Sequence, residues 1–440
     1  MNERSTLKID EKGHLRIGGA DALDLAARFG TPLYVMDEQY IRDMCAAYRT
    51  AIEEEYGGNG LVLYASKAFC CTAVYKIVQS EGAGADVVSG GELYTARRAG
   101  FPAEKIYLHG NNKLRRELEE AADYGVTVVA DAYSELDMLD EICAEKGKVL
   151  NVLLRVNPGV EAHTHHYIQT AKTDSKFGFS VEGGAAMDFA RYALQKKHIA
   201  LQGFHSHIGS QIFELHSFRL AADKLLSFMA DVKNTLGFEA AQLNLGGGFG
   251  IWYTDEDAVQ SVSDYAAGLK SILREVKEQA AAKGLRAPFL LVEPGRSVVG
   301  EAGVTLYTVG AIKDIPGVKK YVAVDGGMFE NPRYALYQAK YTAVLAGRAR
   351  EKATERVSIA GKCCESGDIV CADVQLPPAR RGDILAVLST GAYNYSMASN
   401  YNRNLVPPVV LVKDGQADYI VKPQSYEDLV RNDAVPARLR

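Results

Sequence analysis

Between residues 61 and 293, eight short runs of β-branched and other apolar residues alternate with stretches of helical spacing. The runs are Leu61–Ser66, Ala85–Ser89, Lys105–His109, Thr127–Asp131, Val149–Asn157, Leu201–Ile208, Gln242–Leu245 and Phe289–Glu293. The stretches between them include GELYTARRAG, NKLRRELEEAADYG, YSELDMLDEICAEKG and SFRLAADKLLSFMADVKNTLG. Each has apolar residues at helical spacing and a glycine near its end, as amphipathic helices do. A strand that reaches its neighbour through a helix pairs with it in parallel, by a right-handed crossover. Eight such units within roughly 240 residues match a (β/α)8 barrel in count and size. An open doubly wound sheet is the competing α/β fold, disfavoured by the eightfold repeat and the lack of a GxGxxG fingerprint.

After residue 302 the rhythm changes. VTLYTVGAIK, KYVAVDGG, YTAVLAG, RVSIAGKCC, DILAVLST, VVLVKDG and DYIVKPQ are short strand-like segments punctuated by Gly or Asp-Gly, which predicts an all-β second domain. At the other end of the chain, LKIDEKGHLRIGG and TPLYVMD also look like strands and are expected to join it. The expected organisation is therefore N-terminal strands in 1–36, a TIM barrel over 37–302, and a β domain over 303–440 that takes in both chain ends.

Composition narrows the class. A chain of 440 residues can bury a sizeable core without disulfides or a structural metal. Fifty basic against fifty-five acidic residues leave a formal charge of -5, which does not suit a nucleic-acid surface. Seven cysteines, with Cys70–Cys71 and Cys363–Cys364 adjacent, read as reduced thiols rather than a disulfide framework. MNERSTLKID has no apolar signal core, and no apolar run approaches a membrane span. The expectation is a cytoplasmic enzyme with a small-molecule substrate and neither nucleic acid nor membrane as partner.

In such a barrel the loops at the carboxyl ends of the strands converge on one mouth, and the reactive residues fall there. The first run leads to Lys67, the second carries Asp86, and the third opens HGNNK. The sixth carries His205, His207 and Ser210 in HSHIGSQ, the seventh meets Gly246-Gly247-Gly248, and the eighth ends in Glu293-Pro294-Gly295-Arg296. Three glycines let backbone N–H groups approach a phosphate without Cβ interference, and Arg296 adds a charge-assisted contact. The same run would also serve a plain chain reversal. A lysine in a partly desolvated mouth becomes a nucleophilic amine, although most lysines form surface ion pairs. Lysine and phosphate cradle together suggest pyridoxal phosphate held as a Schiff base, with Glu293 against the pyridine nitrogen and His207 stacked on the ring. His163, His165 and His166, or Cys363 and Cys364, make no recognisable metal frame, so no metal is expected. LNLGGGFG lacks dinucleotide-binding spacing.

With these pieces placed, the sequence resembles the fold type III pyridoxal-phosphate decarboxylases over nearly its whole length. YASKA, GADVVSGGEL, HTHHYIQTAKTDSKFGF, HSHIGSQI, LNLGGGFG, EPGR, CCESGD and GAYNYSMASNYN occur in the family's order. The resemblance implies a homodimer with shared active sites, residues of each β domain completing the partner's site. It implies that Lys67 is the Schiff-base lysine, that His207 stacks on the ring, and that Glu293 meets the pyridine nitrogen. Ser210, Gly246 to Gly248, Pro294, Gly295, Arg296 and Tyr393 would hold phosphate and ring, and Tyr393 would also reach the substrate. Cys364 would donate a proton from the other subunit, and Glu365 would contact the substrate's distal amino group. Arg296, Arg333 and Tyr337 would bind a distal carboxylate. An arginine at 333 suits an anionic end, so the implied substrate carries both charges distally, as meso-diaminopimelate does, with L-lysine as product. Departures are small: phenylalanine in YASKAF, and Tyr334 in NPRYALYQ where proline is usual.

Overall fold

The computed structural model describes residues 6–160 and 175–439, and the alternation closes into a barrel. Its strands are β1 (Gly60–Ala65), β2 (Gly84–Val87), β3 (Ile106–Leu108), β4 (Thr127–Ala130), β5 (Leu150–Asn157), β6 (Ile199–His205), β7 (Gln242–Asn244) and β8 (Phe289–Val292). Each pairs in parallel with the next, β8 pairs with β1, and β4 pairs with β5, so the ring is continuous. Leu63 of β1, Tyr107 of β3, Val129 of β4, Leu153 of β5 and Leu291 of β8 pack as one buried cluster, the filled interior that such a barrel requires. Helices ending at Tyr124, Lys146 and Leu236 are each followed by a glycine in the left-handed region, where a side chain would be strained.

The strands stop sooner than the sequence predicts. β1, β3, β4, β7 and β8 end one residue early, β2 ends at Val87 rather than Ser89, and β6 ends at His205 rather than Ile208. The apolar and β-branched pattern runs on past the point where the backbone leaves the ladder. Ser66–Ala68 forms a 3-10 turn, and Gly246 takes φ 69°. These departures turn the carboxyl-end residues into the barrel mouth.

The chain divides into two compact units. The barrel unit is Ile41–Ile251 and Ala258–Val298; the other takes in the chain up to Tyr40, Trp252–Asp257 and the chain from Val299 onward. In the second unit, Leu33–Asp37 lies between strands from the far end of the chain. Val35 stands opposite Val304 of the antiparallel Gly303–Ile315 and opposite Val410 of the parallel Val409–Lys413. Leu33, Val35, Val304, Leu306, Leu388, Val410 and Val412 share one core. Leu7–Ile9, Leu15–Ile17 and Ala20–Asp21 form a separate three-stranded sheet, with Leu7, Leu15 and Ile17 in that same core. The strand Ile369–Leu376, absent from the sequence reading, pairs antiparallel with Glu355–Ala360. Its pattern is interrupted at Asp373, which has φ 55°. Among the described residues, no helix is long and apolar enough to cross a membrane.

Barrel closure leaves no room beside Gly203 of β6, where an added Cβ would lie 1.9 Å from the Gln242 carbonyl oxygen of β7. Gly203→Ala is expected to destabilise the barrel by about 2 kcal/mol or more, as overpacking does. A thermal melt checks this, and an unchanged midpoint contradicts it.

Candidate active site

Lys67 sits in the 3-10 turn after β1, and its Nζ donates to Asp86 Oδ2 at 3.0 Å. Asp86, on β2, is fully buried, whereas the Lys67 side chain keeps 38% of its surface exposed. An amine held by a buried carboxylate yet open to the mouth can meet an incoming carbonyl carbon.

Glu293 follows β8 and is buried. Asn244 Nδ2, at the end of β7, donates to its Oε1 at 2.7 Å, and His109 Nε2, just after β3, lies 2.9 Å from the same oxygen. His205 Nε2, at the end of β6, lies 3.2 Å from Oε2. Burial works against the carboxylate, but the imidazoles of His109 and His205 outweigh it and hold the acid well below the usual range. Burial pushes His205 down to about 4, with Glu293 opposing the shift. A neutral imidazole facing a carboxylate must donate, so Nε2 carries the His205 proton. His109 Nε2 also lies 3.6 Å from Asp86 Oδ1, which places it between the two buried acids.

His207 is held well below its ordinary range by burial, with the Lys67 and Arg155 charges adding. Its Nδ1 accepts from the N–H of Gly247 at 3.3 Å, which leaves the ring proton on Nε2. The glycines are required by close approach: a Cβ would meet Ser206 O at 2.6 Å from Gly246, Glu293 O at 2.0 Å from Gly247 and Gly209 O at 2.3 Å from Gly248. Gly246 N–H already donates to Asn244 Oδ1. Two of the three N–H groups are therefore engaged within the protein, so the segment as folded does not present all three amides to a phosphate. Ala65 N–H donates to Pro294 O. A Cβ on Gly295 would lie 2.8 Å from that of Ala65, so this segment lies directly against the start of the Lys67 turn. Arg296, also buried, donates through Nη2 to Ser210 Oγ at 3.0 Å.

In the second unit, Arg333 is 8% exposed and stands 5.5 Å from the ring centres of Tyr337 and Tyr393. Among the described residues its Nε has no hydrogen-bond partner. Burial works against its charge, but the neighbouring Tyr341, Tyr253 and Tyr393 outweigh it and raise its pKa. Tyr393 takes φ 62°, a strained state for a non-glycine residue of the kind found at ligand sites. Cys364 and Glu365 are exposed, on a turn anchored by buried Asp368, which accepts the N–H groups of Met328 and Cys363 at 2.6 Å each. Cys364 N–H donates to Asn402 Oδ1.

The sequence reading passed over His109, Asn244 and Arg155, and gave His205 no role. Their signal was position alone, since each falls at or near the carboxyl end of a barrel strand. Donor atoms of His109, His205 and Glu293 lie within 4.8 Å of one another, so these three could in principle ligate a metal. His205 Nε2 is hydrogen-bonded to Glu293 Oε2 at 3.2 Å, whereas His109 Nε2, 2.9 Å from Oε1, is not aligned for a hydrogen bond and acts on the acid as a close electrostatic neighbour. His163, His165 and His166 lie outside the described residues.

Comparison with known proteins agrees with this geometry. The family described as "Pyridoxal-dependent decarboxylase, pyridoxal binding domain" matches residues 39–300. Diaminopimelate decarboxylase of Bacillus methanolicus is 52% identical over 423 residues, 96% of this chain and 97% of that protein. The enzyme of the same name from Bacillus subtilis is 50% identical over 429 residues, 97% of each chain. The crystal structure of diaminopimelate decarboxylase from M. jannaschii in complex with L-lysine superposes with a TM-score of 0.91 at 38% identity, covering 99% of both chains.

The His205 shift carries a stability signature. An unfolded His takes its proton near 6.5, whereas folded His205 takes it only near 4. Its contribution is therefore present above pH 6.5 and lost as pH falls toward 4. His205→Gln should show a shallower loss of stability across that window in denaturant melts at stepped pH. An equal slope in both proteins contradicts the assignment.

Proposed function

The chain belongs to the pyridoxal-dependent decarboxylases, and we propose that it removes carbon dioxide from meso-2,6-diaminopimelate at the D-configured carbon. The product is L-lysine, and the reaction is the closing step of lysine biosynthesis. Pyridoxal phosphate, when bound, supplies a conjugated ring into which the electron pair of the broken C–C bond passes. The residues fit that group. Glu293 is a buried acid held ionised, with donors fixed around it, as a protonated ring nitrogen requires. Lys67 offers an amine at the mouth for the aldehyde carbon.

In this reading Asp86 would steady the Lys67 amine as a cation while substrate has displaced it from the cofactor, and Glu293 would keep the ring nitrogen protonated. His207 would lie on the ring face. Ser210, Gly246, Gly247, Gly248, Pro294, Gly295, Arg296 and Tyr393 would hold the phosphate end. Arg296, Arg333 and Tyr337 bind the distal carboxylate and Glu365 the distal amino group, while Tyr393 closes over the substrate. Cys364 delivers the proton that replaces carbon dioxide on the reacting carbon. Cys364 and Glu365 are exposed on the single chain, which supports a homodimer in which each chain completes its partner's site. The protein works in the cytoplasm, in keeping with seven cysteines that are all free.

Arg333 carries the substrate choice. A guanidinium sequestered among tyrosine rings, with no salt bridge to any described acid, is poised for an incoming carboxylate. A substrate with a cationic distal end would meet like charge there.

Arg333→Leu should raise the KM for meso-diaminopimelate about 10- to 100-fold, the loss of a charge-assisted hydrogen bond, and a KM left unchanged refutes the substrate assignment. Lys67→Ala should abolish turnover and the visible absorbance of the bound cofactor, and an active variant refutes the role of Lys67. Mixing Lys67→Ala with Cys364→Ala protein should restore part of the lost activity, because some mixed dimers hold one intact site. A mixture no more active than its components contradicts shared sites.

A further inference from the structure

The reaction as usually arranged requires Glu293 to be an anion, but it does not say what keeps a carboxylate ionised at the bottom of a barrel. The geometry of three strand ends does. Glu293 is 4% exposed, His109 4%, His205 1% and Asn244 0%, so water is not available to solvate the charge. Each carboxylate oxygen instead has its own imidazole: Nε2 of His205 is hydrogen-bonded to Oε2 at 3.2 Å, and Nε2 of His109 lies 2.9 Å from Oε1 as an electrostatic contact not aligned for a hydrogen bond. The two rings meet edge to face, with centres 4.7 Å apart and planes at 69°, so neither can swing without displacing the other. Asn244 donates to Oε1 and simultaneously accepts the N–H of Gly246, which ties the acid to the glycine segment.

We propose that His109 and His205 are positioning residues for this reaction, a pair of imidazoles that fixes the orientation and the ionised state of the Glu293 carboxylate before any cofactor enters. The proposal rests on the assignment of Glu293 to the pyridine nitrogen. Neither histidine needs to touch the cofactor. Their work is to replace water around the acid, so that an arriving ring finds a carboxylate rather than a neutral carboxylic acid. The remaining groups around Glu293 are Arg155, His207 and Tyr107, whose charges it feels or shifts, and Asp86 on the other side of His109. Of these, Arg155 alone is a permanent cation, and no hydrogen bond joins it to Glu293 among the described residues.

The test is the affinity of the cofactor-free protein for pyridoxal phosphate as a function of pH, followed by the absorbance of the bound cofactor. His205→Leu and His109→Leu each remove an imidazole, His205→Gln keeps a donor, and Glu293→Gln removes the acid's charge; circular dichroism selects the folded variants. Without its imidazole, Glu293 takes up a proton that the entering cofactor must displace. Each Leu variant should therefore bind about tenfold more weakly, in line with losses of supporting residues around other bound groups. The deficit should be largest at low pH and shrink as pH rises, and His205→Gln should recover most of the wild-type affinity. Leu variants that bind as wild type at every pH overturn the proposal, as does a Gln variant no better than Leu. If the Leu variants do not fold, His205→Gln against His205→Asn supplies the comparison, because the shorter amide cannot reach Oε2; equal binding by these two overturns the proposal. Glu293→Gln separates the two layers of the argument. Wild-type binding by Glu293→Gln removes the reading of Glu293 itself, whereas impaired Glu293→Gln with unaffected Leu variants removes only the histidine pair.

Discussion

A carboxylate inside a protein stays ionised only when other groups replace the water it has lost, and Glu293 is where this barrel meets that demand. Its partners come from the ends of β3, β6 and β7, so the site exists only when the ring of strands is closed in register. The same crowding explains Gly247, where a Cβ would lie 2.0 Å from the Glu293 carbonyl oxygen. Backbone and side chain of Glu293 thus act on the site in different ways, one shaping the glycine segment and the other anchoring charge. Lys67 and Asp86 extend the network through His109, which links the amine at the mouth with the acid beneath it.

The two units divide the chemistry. The barrel unit contains the lysine, the acids, the histidines and the glycine segment, all on strand ends or the turns next to them. The other unit contains Arg333 on a short helix, Tyr393 on a loop, and Cys364 with Glu365 on an exposed turn. A stable barrel can serve many amino-acid reactions. Under the proposed reading, selectivity for a doubly charged distal end would come from residues outside it.

Much of this was legible in the chain. The eight strands, their parallel closure and the mixing of both chain ends in one β unit follow from periodicity and turn residues, and the structure has them all. Lys67, Asp86, His207, Glu293 and Arg296 stood out because a charged or aromatic polar residue at the end of an apolar strand has to be explained. The strand ends themselves were misplaced by one to three residues, since apolar patterning does not record where a backbone leaves its ladder. The strand Ile369–Leu376 was hidden by its turn at Asp373. His109 and Asn244 escaped for another reason: their function depends on which strand ends meet across the barrel, and a linear sequence does not show that distance. Arg333 was legible as a charge, but its enclosure by tyrosine rings was not.

The most direct test of the whole account is a substrate panel. Purified protein supplied with pyridoxal phosphate would be given meso-diaminopimelate, ornithine, arginine and lysine separately, with carbon dioxide and amine products quantified. The account predicts equal amounts of carbon dioxide and L-lysine from meso-diaminopimelate and negligible release from the other three. Carbon dioxide from ornithine, arginine or lysine at a comparable rate, or none from meso-diaminopimelate, would contradict it.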